Sequence, residues 1–374
     1  MQQLAQDSAF MAQAIELAKK GRFTVAPNPA VGCLLVKGDE IVGQGFHVKA
    51  GEPHAEAMAL RQAGDKARGA TAYVTLEPCA HYGRTPPCAL ALIQAGVKRV
   101  VAAMQDPNPQ VAGKGLALLR EAGIETAVGV LTQEAEALNK GFLKRMRSGL
   151  PFVRLKMAVS IDGKTAMASG ESKWITGEAA RADVQRERAL SAAILSTGST
   201  VAADNPGLNV RWAQLPVEVR AEYPLPALRQ PLRIIMDSQS RVCPQHNLFQ
   251  HREPVWLIGE AERDISAFPD FCRHLTLAPD AGQSKLQALM VELGRRKIND
   301  LWVEAGAVFA GALIEQNLVD ELILYIAPKL LGHQARDLCV LPHLQKLADA
   351  PLWHLHSMTR IDEDLKLVYT LRNA

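Results

Sequence analysis

The chain has 374 residues, of which 48% are hydrophobic and 22% charged, and its formal net charge is +3; a chain of that length holds about two or three ordinary domains. Lys and Arg are interspersed with Asp and Glu, only 5% of residues are aromatic, and no apolar run is long enough to cross a bilayer. These features argue against nucleic-acid and membrane partners and leave a small-molecule substrate as the expectation.

The first 30 residues lack a charged start followed by an apolar core and a small-residue cleavage site, so a cytoplasmic, reducing location is expected. Apolar periodicity through Phe10, Met11, Ala14, Ile15, Leu17 and Ala18 predicts a helix from about Ser8 to Lys20. Strand-like runs follow at Val31 to Val36 and Glu40 to Phe46, then a helix opening at His54, a strand from Ala72 to Glu77 and a helix opening at Cys88. Beyond these come a strand Arg99 to Met104, a helix Gly115 to Ala122, a strand Ile124 to Val130 and a helix Gln133 to Arg147. Strands alternating with helices of this length imply βαβ units, hence a three-layer α/β sandwich on a mixed sheet.

Within that frame, His54-Ala-Glu56, Pro78-Cys79 and Pro86-Pro-Cys88 carry the clearest chemistry. One imidazole and two thiolates make a three-ligand zinc set that leaves a fourth position for water, the arrangement of a hydrolytic site. Glu56, two residues after the His, is the expected proton carrier, since such chemistry needs a group to move protons to the leaving group. The zinc deaminases of nucleobases and nucleosides have H-x-E followed by P-C-x-x-C. Here eight residues separate the cysteines, a loop with Gly83 and Thr85 in its middle that has to return Cys88 to the metal. A Cys79–Cys88 disulfide is the rival account of that pair. Cys33, Cys243, Cys272 and Cys339 lack ligand-like neighbours and read as small hydrophobes or idle thiols.

Cations, Gly149 and Pro151 end the helix at Arg147 and place a boundary near 147 to 150, giving domains 1–148 and 149–374. Strands are expected at Phe152 to Ile161, closed by the Asp162-Gly163 turn, and at Ala192 to Leu195, Leu232 to Met236, Val255 to Ile258, Leu301 to Glu304, Glu321 to Ile326 and Leu365 to Leu371. Helices are expected near Glu178 to Leu190, Ser284 to Arg295 and Phe309 to Gln316. Two segments that follow strands, Ser196 to Arg211 and Glu304 to Ala312, have the glycines and small polar residues that let backbone approach a phosphate. Alone, glycine-containing turns are common in any α/β protein.

From Pro27-Asn-Pro-Ala-Val-Gly32 through His47, His54-Ala-Glu56 and Glu77 to Cys88, and on through Lys156 to Gly163, Thr200 to Asp204 and Glu304 to Gly311, the chain resembles the bifunctional riboflavin-biosynthesis deaminase-reductases of bacteria. The long cysteine spacing is that family's own form. The resemblance implies a cytidine-deaminase-like N-terminal domain and a dihydrofolate-reductase-like C-terminal α/β domain, with one zinc per chain in the first and NADPH in the second. The implied substrate is a pyrimidine ribose phosphate, 2,5-diamino-6-ribosylamino-pyrimidinone 5'-phosphate, which is deaminated and then reduced at its sugar to the ribityl compound. It further implies that His54, Cys79 and Cys88 hold the metal, that Glu56 is catalytic, and that Asn28, His47, His81, Arg84 and Thr85 line the deaminase pocket, Arg84 as phosphate partner. In the reductase half the implied cofactor contacts are Ala158, Trp174, Thr200, Asp204, Ser238 and the run Gly306, Ala307, Val308, Phe309, Ala310, Gly311 and Ala312. The implied substrate contacts there are Ser172, Arg188, Leu208, Arg211 and Glu304, with Arg188 and Arg211 expected on the sugar phosphate. Ala305 is a local departure, standing where many relatives carry a second Gly. A homo-oligomer, dimer or tetramer, is expected. A tRNA or free-nucleobase deaminase with an appended nucleotide-binding module shares the zinc motif; NADPH binding by residues 150–374 separates the two readings. A deaminase half reduced to a scaffold would lack a complete ligand set, and this chain keeps all four residues.

Overall fold

In the computed structural model, which describes residues 2–80 and 86–371, helix α1 (Gln2–Lys19) buries Met11, Ala14, Ile15 and Ala18, one stripe at helical spacing. That stripe covers one face of a sheet formed by β1 (Gly32–Lys37), β2 (Glu40–Phe46), β3 (Thr71–Val74), β4 (Arg99–Ala102) and β5 (Glu125–Val128), in the order β2-β1-β3-β4-β5. The β1/β2 and β1/β3 pairs are antiparallel and the rest parallel. Side chains alternate across β1: Leu34 and Val36 pack with Met11 and Ile15, whereas Cys33 and Leu35 pack with Ala55 and Ala59 on the other side. Helices α2 (Ala55–Ala63), α3 (Cys88–Gln94) and α4 (Lys114–Glu121) contribute Ala59, Leu92 and Leu119 to that second layer. Gly45 is needed where α2 lies on β2, because a Cβ there would sit 2.4 Å from the Ala55 carbonyl oxygen. The first unit, Met1–Gly149, is thus the three-layer sandwich expected from the alternation of elements.

The helix expected from Gln133 to Arg147 is two, α5 (Thr132–Leu138) and α6 (Lys140–Ser148). Asn139 breaks it, with φ −123° and ψ 25°. Its side chain accepts from Ala30 N at 2.8 Å and donates to Ala30 O at 2.9 Å, an exchange that a local polar side chain makes in competition with the helix.

The second unit, Leu150–Ala374, is built on β6 (Phe152–Ser160), with a short β7 (Lys164–Ala166) after it, α7 (Glu178–Leu190), β8 (Ala193–Thr197), α8 (Gly198–Asp204), α9 (Val217–Glu222), β9 (Leu232–Met236), β10 (Val255–Gly259) and β11 (Cys272–Thr276). It continues with α10 (Lys285–Arg295), β12 (Asp300–Glu304), α11 (Ala307–Glu315), β13 (Glu321–Ala327), β14 (Arg336–Asp337), β15 (Trp353–Ile361) and β16 (Asp364–Leu371). The main sheet runs β11-β10-β9-β8-β12-β6-β13-β16-β15, parallel from β11 to β13, with β16 and β15 antiparallel at the end. Strands covered on both faces are almost continuously apolar, as in Ala193, Ile194 and Leu195 of β8 and in Leu301, Trp302 and Val303 of β12, all buried. The chain leaves β8 outward to β9, β10 and β11, then returns through α10 to place β12 between β8 and β6. Ligands of open α/β sheets sit outside the carboxyl ends of strands at such a reversal.

Candidate functional site

Two helix starts converge in the first unit. His54 is the N-cap of α2, and Cys88 opens α3 directly after Pro87. Cys79 arrives from the other side on the loop that follows β3. The three donor atoms, His54 Nδ1, Cys79 Sγ and Cys88 Sγ, lie within 4.8 Å of one another. Nδ1 is 3.7 Å from the Cys79 sulfur and 3.3 Å from the Cys88 sulfur. A tetrahedral zinc with ordinary Zn–N and Zn–S bonds needs a nitrogen–sulfur separation of ~3.6 Å, so the donor set and its spacing fit that ion. The two cysteines are free thiols, not a disulfide.

The Cys88 thiol donates to Cys79, and with further help from His54 this lowers the Cys79 pKa to about 4. The same hydrogen bond, together with burial, pushes the Cys88 thiol up. A metal that takes both sulfurs as thiolates would displace the proton between them. Glu56, in the first turn of α2, is 3% exposed. Burial, and after it the charge on Cys79, pushes its carboxyl up to about 7. Near neutral pH it can both take and give a proton.

His47 is buried beside this cluster, its ring edge-on to His54 with centroids 5.3 Å apart. Its Nδ1 lies 3.1 Å from the Pro53 carbonyl oxygen, an acceptor, so Nδ1 carries the proton. Nε2 then accepts from Asn28 Nδ2 at 3.0 Å. Burial lowers the His47 pKa and so favours this neutral form. The Asn28 loop is anchored in turn by the Asn139 bonds to Ala30. His81, Arg84 and Thr85, also expected in this pocket, lie outside the described residues.

Sequence reasoning missed Glu77. Its buried carboxylate accepts from the backbone N–H groups of Asp106 (3.1 Å), Gly113 (2.9 Å), Gly115 (2.9 Å) and Leu116 (3.2 Å). It thereby ties the segment that leads to Cys79 to the first turn of α4. Packing is so close that a Cβ on Gly115 would lie 1.9 Å from the Pro78 carbonyl oxygen. The available signal was a carboxylate at the end of an otherwise apolar strand, which must find donors if it is buried.

In the second unit, Glu304 ends β12 and its carboxylate receives both arms of Arg188, Nε at 2.6 Å and Nη2 at 2.9 Å. Trp302 Nε1 donates to the same carboxylate at 2.9 Å. Burial alone would raise the Glu304 pKa, but Arg188 and then Lys156 hold it down at about 2. Arg188 is itself 7% exposed, and its Nη1 donates to the Asn209 carbonyl oxygen at 2.9 Å. Arg188, expected on the sugar phosphate, has its fork engaged by Glu304 in this structure. Arg211 is exposed, with Nε on Gln214 Oε1 at 2.6 Å, and keeps donors for an anion. Burial and the neighbouring Arg188 lower its pKa. Lys156, not singled out as a site residue from sequence, faces the same group from β6: burial lowers its pKa while Glu304 opposes. Its signal was a charge inside an apolar strand.

The remaining expected residues divide by exposure. Trp174 is 63% exposed under the Arg181 guanidinium, 4.7 Å from the ring centroid, and Ser172 is half-buried two residues before it. Thr200 donates its backbone N–H to the Thr197 N-cap side chain, and the Asp204 carbonyl oxygen accepts from Lys173 Nζ at 2.9 Å. Ala158 is half-buried on β6, and Ser238 is exposed after β9. Gly306 is the N-cap of α11, and a Cβ there would meet nothing within 4 Å. Ala307, Phe309 and Ala312 are half-buried and Val308 is 72% exposed. Ala310 and Gly311 are buried, and a Cβ on Gly311 would lie 1.8 Å from the Val340 carbonyl oxygen, so close packing accounts for that glycine. The Leu208 side chain belongs to the hydrophobic core.

Residues 4–104 match the cytidine and deoxycytidylate deaminase zinc-binding region, and residues 151–367 match the RibD C-terminal domain. The chain is 62% identical to riboflavin biosynthesis protein RibD of Haemophilus influenzae over 366 residues, 98% of each chain. It is 56% identical to the protein of the same name from Escherichia coli, over 97% of this chain and 98% of that one. Among solved structures, Acinetobacter baumannii RibD superposes with a TM-score of 0.90 at 45% identity, covering 99% of this chain and 100% of that one. The diaminohydroxyphosphoribosylaminopyrimidine deaminase/5-amino-6-(5-phosphoribosylamino)uracil reductase of Thermotoga maritima does so with a TM-score of 0.87 at 32% identity, with coverage of 99% and 100%.

Proposed function

The chain belongs to the RibD family of bifunctional deaminase-reductases of riboflavin biosynthesis, and from that premise we propose that its two units act in turn on one pyrimidine ribose phosphate. The first removes the 2-amino group of 2,5-diamino-6-ribosylamino-pyrimidinone 5'-phosphate; the second reduces 5-amino-6-(5-phosphoribosylamino)uracil to the ribityl compound with NADPH. The observation that carries this reading is the meeting of His54, Cys79 and Cys88 beside a buried Glu56, in a chain that continues into a reductase domain. That continuation favours it over a tRNA or free-nucleobase deaminase with an appended module.

His54, Cys79 and Cys88 would hold a zinc ion, which when bound would make water acidic enough to be a nucleophile near neutral pH. Glu56 takes a proton as the water oxygen bonds to the ring carbon bearing the amino group. It passes that proton to the adjacent ring nitrogen and then carries the remaining hydroxyl proton to the amino nitrogen; the C–N bond breaks, ammonia leaves, and the C–O bond becomes the carbonyl. Asn28 and His47 orient the pyrimidine. In the reductase unit NADPH, when bound, would supply a hydride to C1' of the opened sugar. Arg188 and Lys156 fix the Glu304 carboxylate towards the substrate, Arg211 adds positive charge for the phosphate, and the start of α11 at Gly306 would receive the cofactor.

The free cysteines agree with a reducing compartment, and we place the enzyme in the cytoplasm. None of the described helices is long and apolar enough to cross a membrane. We place a homo-oligomer contact, dimer or tetramer, at the edge strand β15, where Leu355 (53%) and Met358 (66%) are exposed and a second copy would cover them. The test of the catalytic reading is to incubate the zinc-loaded protein with the diaminopyrimidine phosphate without NADPH and identify the product by mass spectrometry. A product with the 2-amino group replaced by oxygen and the ribosyl chain unreduced is expected. Unchanged substrate contradicts the reading.

A further inference from the structure

The carboxyl ends of β10, β9, β8, β12 and β6 stand side by side in that order. Glu304 and Lys156, which we assign to the substrate side of the site, belong to β12 and β6. A dinucleotide with its nicotinamide over those two strands extends its adenosine towards β8 and β9, because β9 is three strand spacings, ~14 Å, from β6. NADPH differs from NADH only by a phosphate on that adenosine. A group that tells them apart has to be a cation whose charge is not already neutralised by a carboxylate.

The cations at this edge differ in that respect. Arg263 gives Nη1 to Asp237 at 2.7 Å and Nη2 to the Val242 carbonyl oxygen at 2.5 Å. Lys285 is paired with Glu260 at 2.5 Å, and the Ser238 hydroxyl is bonded to the same Glu260. Arg241 is exposed, and its Nη1 donates to the Ser199 hydroxyl at 2.8 Å, a neutral partner. Its position is set from below by Asp237, a buried carboxylate that accepts from Arg241 N at 2.8 Å and Val242 N at 3.0 Å. Gly198 packs on that carboxylate so closely that a Cβ would lie 2.1 Å from Asp237 Oδ1. The turn after β9 and the segment after β8 are thereby clamped together, and the clamp brings the Arg241 guanidinium to Ser199.

We propose that Arg241, with the Ser199 hydroxyl, binds the 2'-phosphate of NADPH and sets the preference for NADPH over NADH. This rests on the NADPH-dependent reductase reading. A guanidinium presents a planar fork that matches phosphate oxygens two at a time, and a serine hydroxyl can turn from accepting to donating when the anion arrives.

The test measures equilibrium binding of NADPH and of NADH to the full-length zinc-loaded protein by calorimetry without substrate, for wild type, Arg241→Ala and Arg241→Lys. Loss of a charge-assisted contact predicts that Arg241→Ala weakens NADPH roughly ten- to a hundredfold, leaves NADH affinity unchanged, and keeps the thermal midpoint of wild type. Arg241→Lys, which keeps the charge but not the fork, retains part of the preference. An unchanged ratio of NADPH to NADH affinity in Arg241→Ala overturns the proposal, as does an equal loss for both cofactors, which would mark Arg241 as a support of the loop. Wild type that binds neither cofactor overturns the reductase reading itself, and the proposal with it.

Discussion

At the residue scale, the deaminase site rests on a division of labour between groups that hold charge and one group that moves it. Cys79 is favoured as a thiolate because the Cys88 thiol and His54 donate towards it. Glu56 is poised near neutrality because it is buried beside that sulfur. Replacing Glu56 by Gln keeps the shape and removes the proton chemistry. The expected outcome is a protein with full zinc content whose ammonia release falls ~10²- to 10⁴-fold, while NADPH oxidation on pre-deaminated substrate is retained. Near-normal ammonia release would remove Glu56 from its role. His54, Glu56, Cys79 and Cys88 were legible in the sequence because few chemistries need those residue types at that spacing. Glu77 and Lys156 were not, since a charge after or within a mostly apolar strand has no motif, and only its partners in space show what it does.

At the element scale, the site depends on how tightly a few segments approach. The α4 helix begins against the Pro78 carbonyl, and Gly115 is the residue that permits it. Gly115→Ala has to push α4 and the Pro78-Cys79 segment apart, breaking bonds to Glu77 on the way. A weaker hold on zinc is predicted, read as faster metal loss to a chelator, with the Glu304 region and NADPH binding untouched. Zinc loss at the wild-type rate would mean that the loop tolerates the shift. Elements with strong burial patterns were legible: Glu40–Phe46, Glu178–Leu190 and Leu232–Met236 have the bounds read from periodicity. Where burial was absent or a polar contact decided, they were not. The polar start of α1 hid six residues of helix, although Asp7 there is buried by Arg99 and Tyr73. Asn139 divides a helix for the sake of Ala30, and β15 presents exposed residues almost throughout, so it offers no alternation to read.

At the scale of the whole molecule, each unit carries its own core, and the second also carries a buried ion network. Glu187 accepts from Arg154 at 2.6 Å and from Lys366 at 2.7 Å, and Lys366 also reaches Asp183 at 2.6 Å. Burial would raise the Glu187 pKa, but Arg154, Lys366 and Arg186 outweigh it and hold it at about 2, below the ordinary 4.5. A depressed carboxylate stabilises the fold above its unfolded pKa, and that contribution is lost as pH falls from about 4.5 towards 2. Its size is on the order of 3 kcal/mol. Glu187→Gln should lower the denaturation midpoint at neutral pH and flatten its decline in acid; parallel declines in variant and wild type would show that the network adds nothing there.

The order of the two reactions is the central claim, and it is tested by giving the zinc-loaded wild-type protein the diaminopyrimidine phosphate with NADPH while recording ammonia and NADPH together. Ammonia should appear first and NADPH oxidation should follow with a lag, reaching the same total, and omitting NADPH should leave ammonia release intact. NADPH oxidation that precedes ammonia, or ammonia release that is never followed by oxidation, would contradict the account.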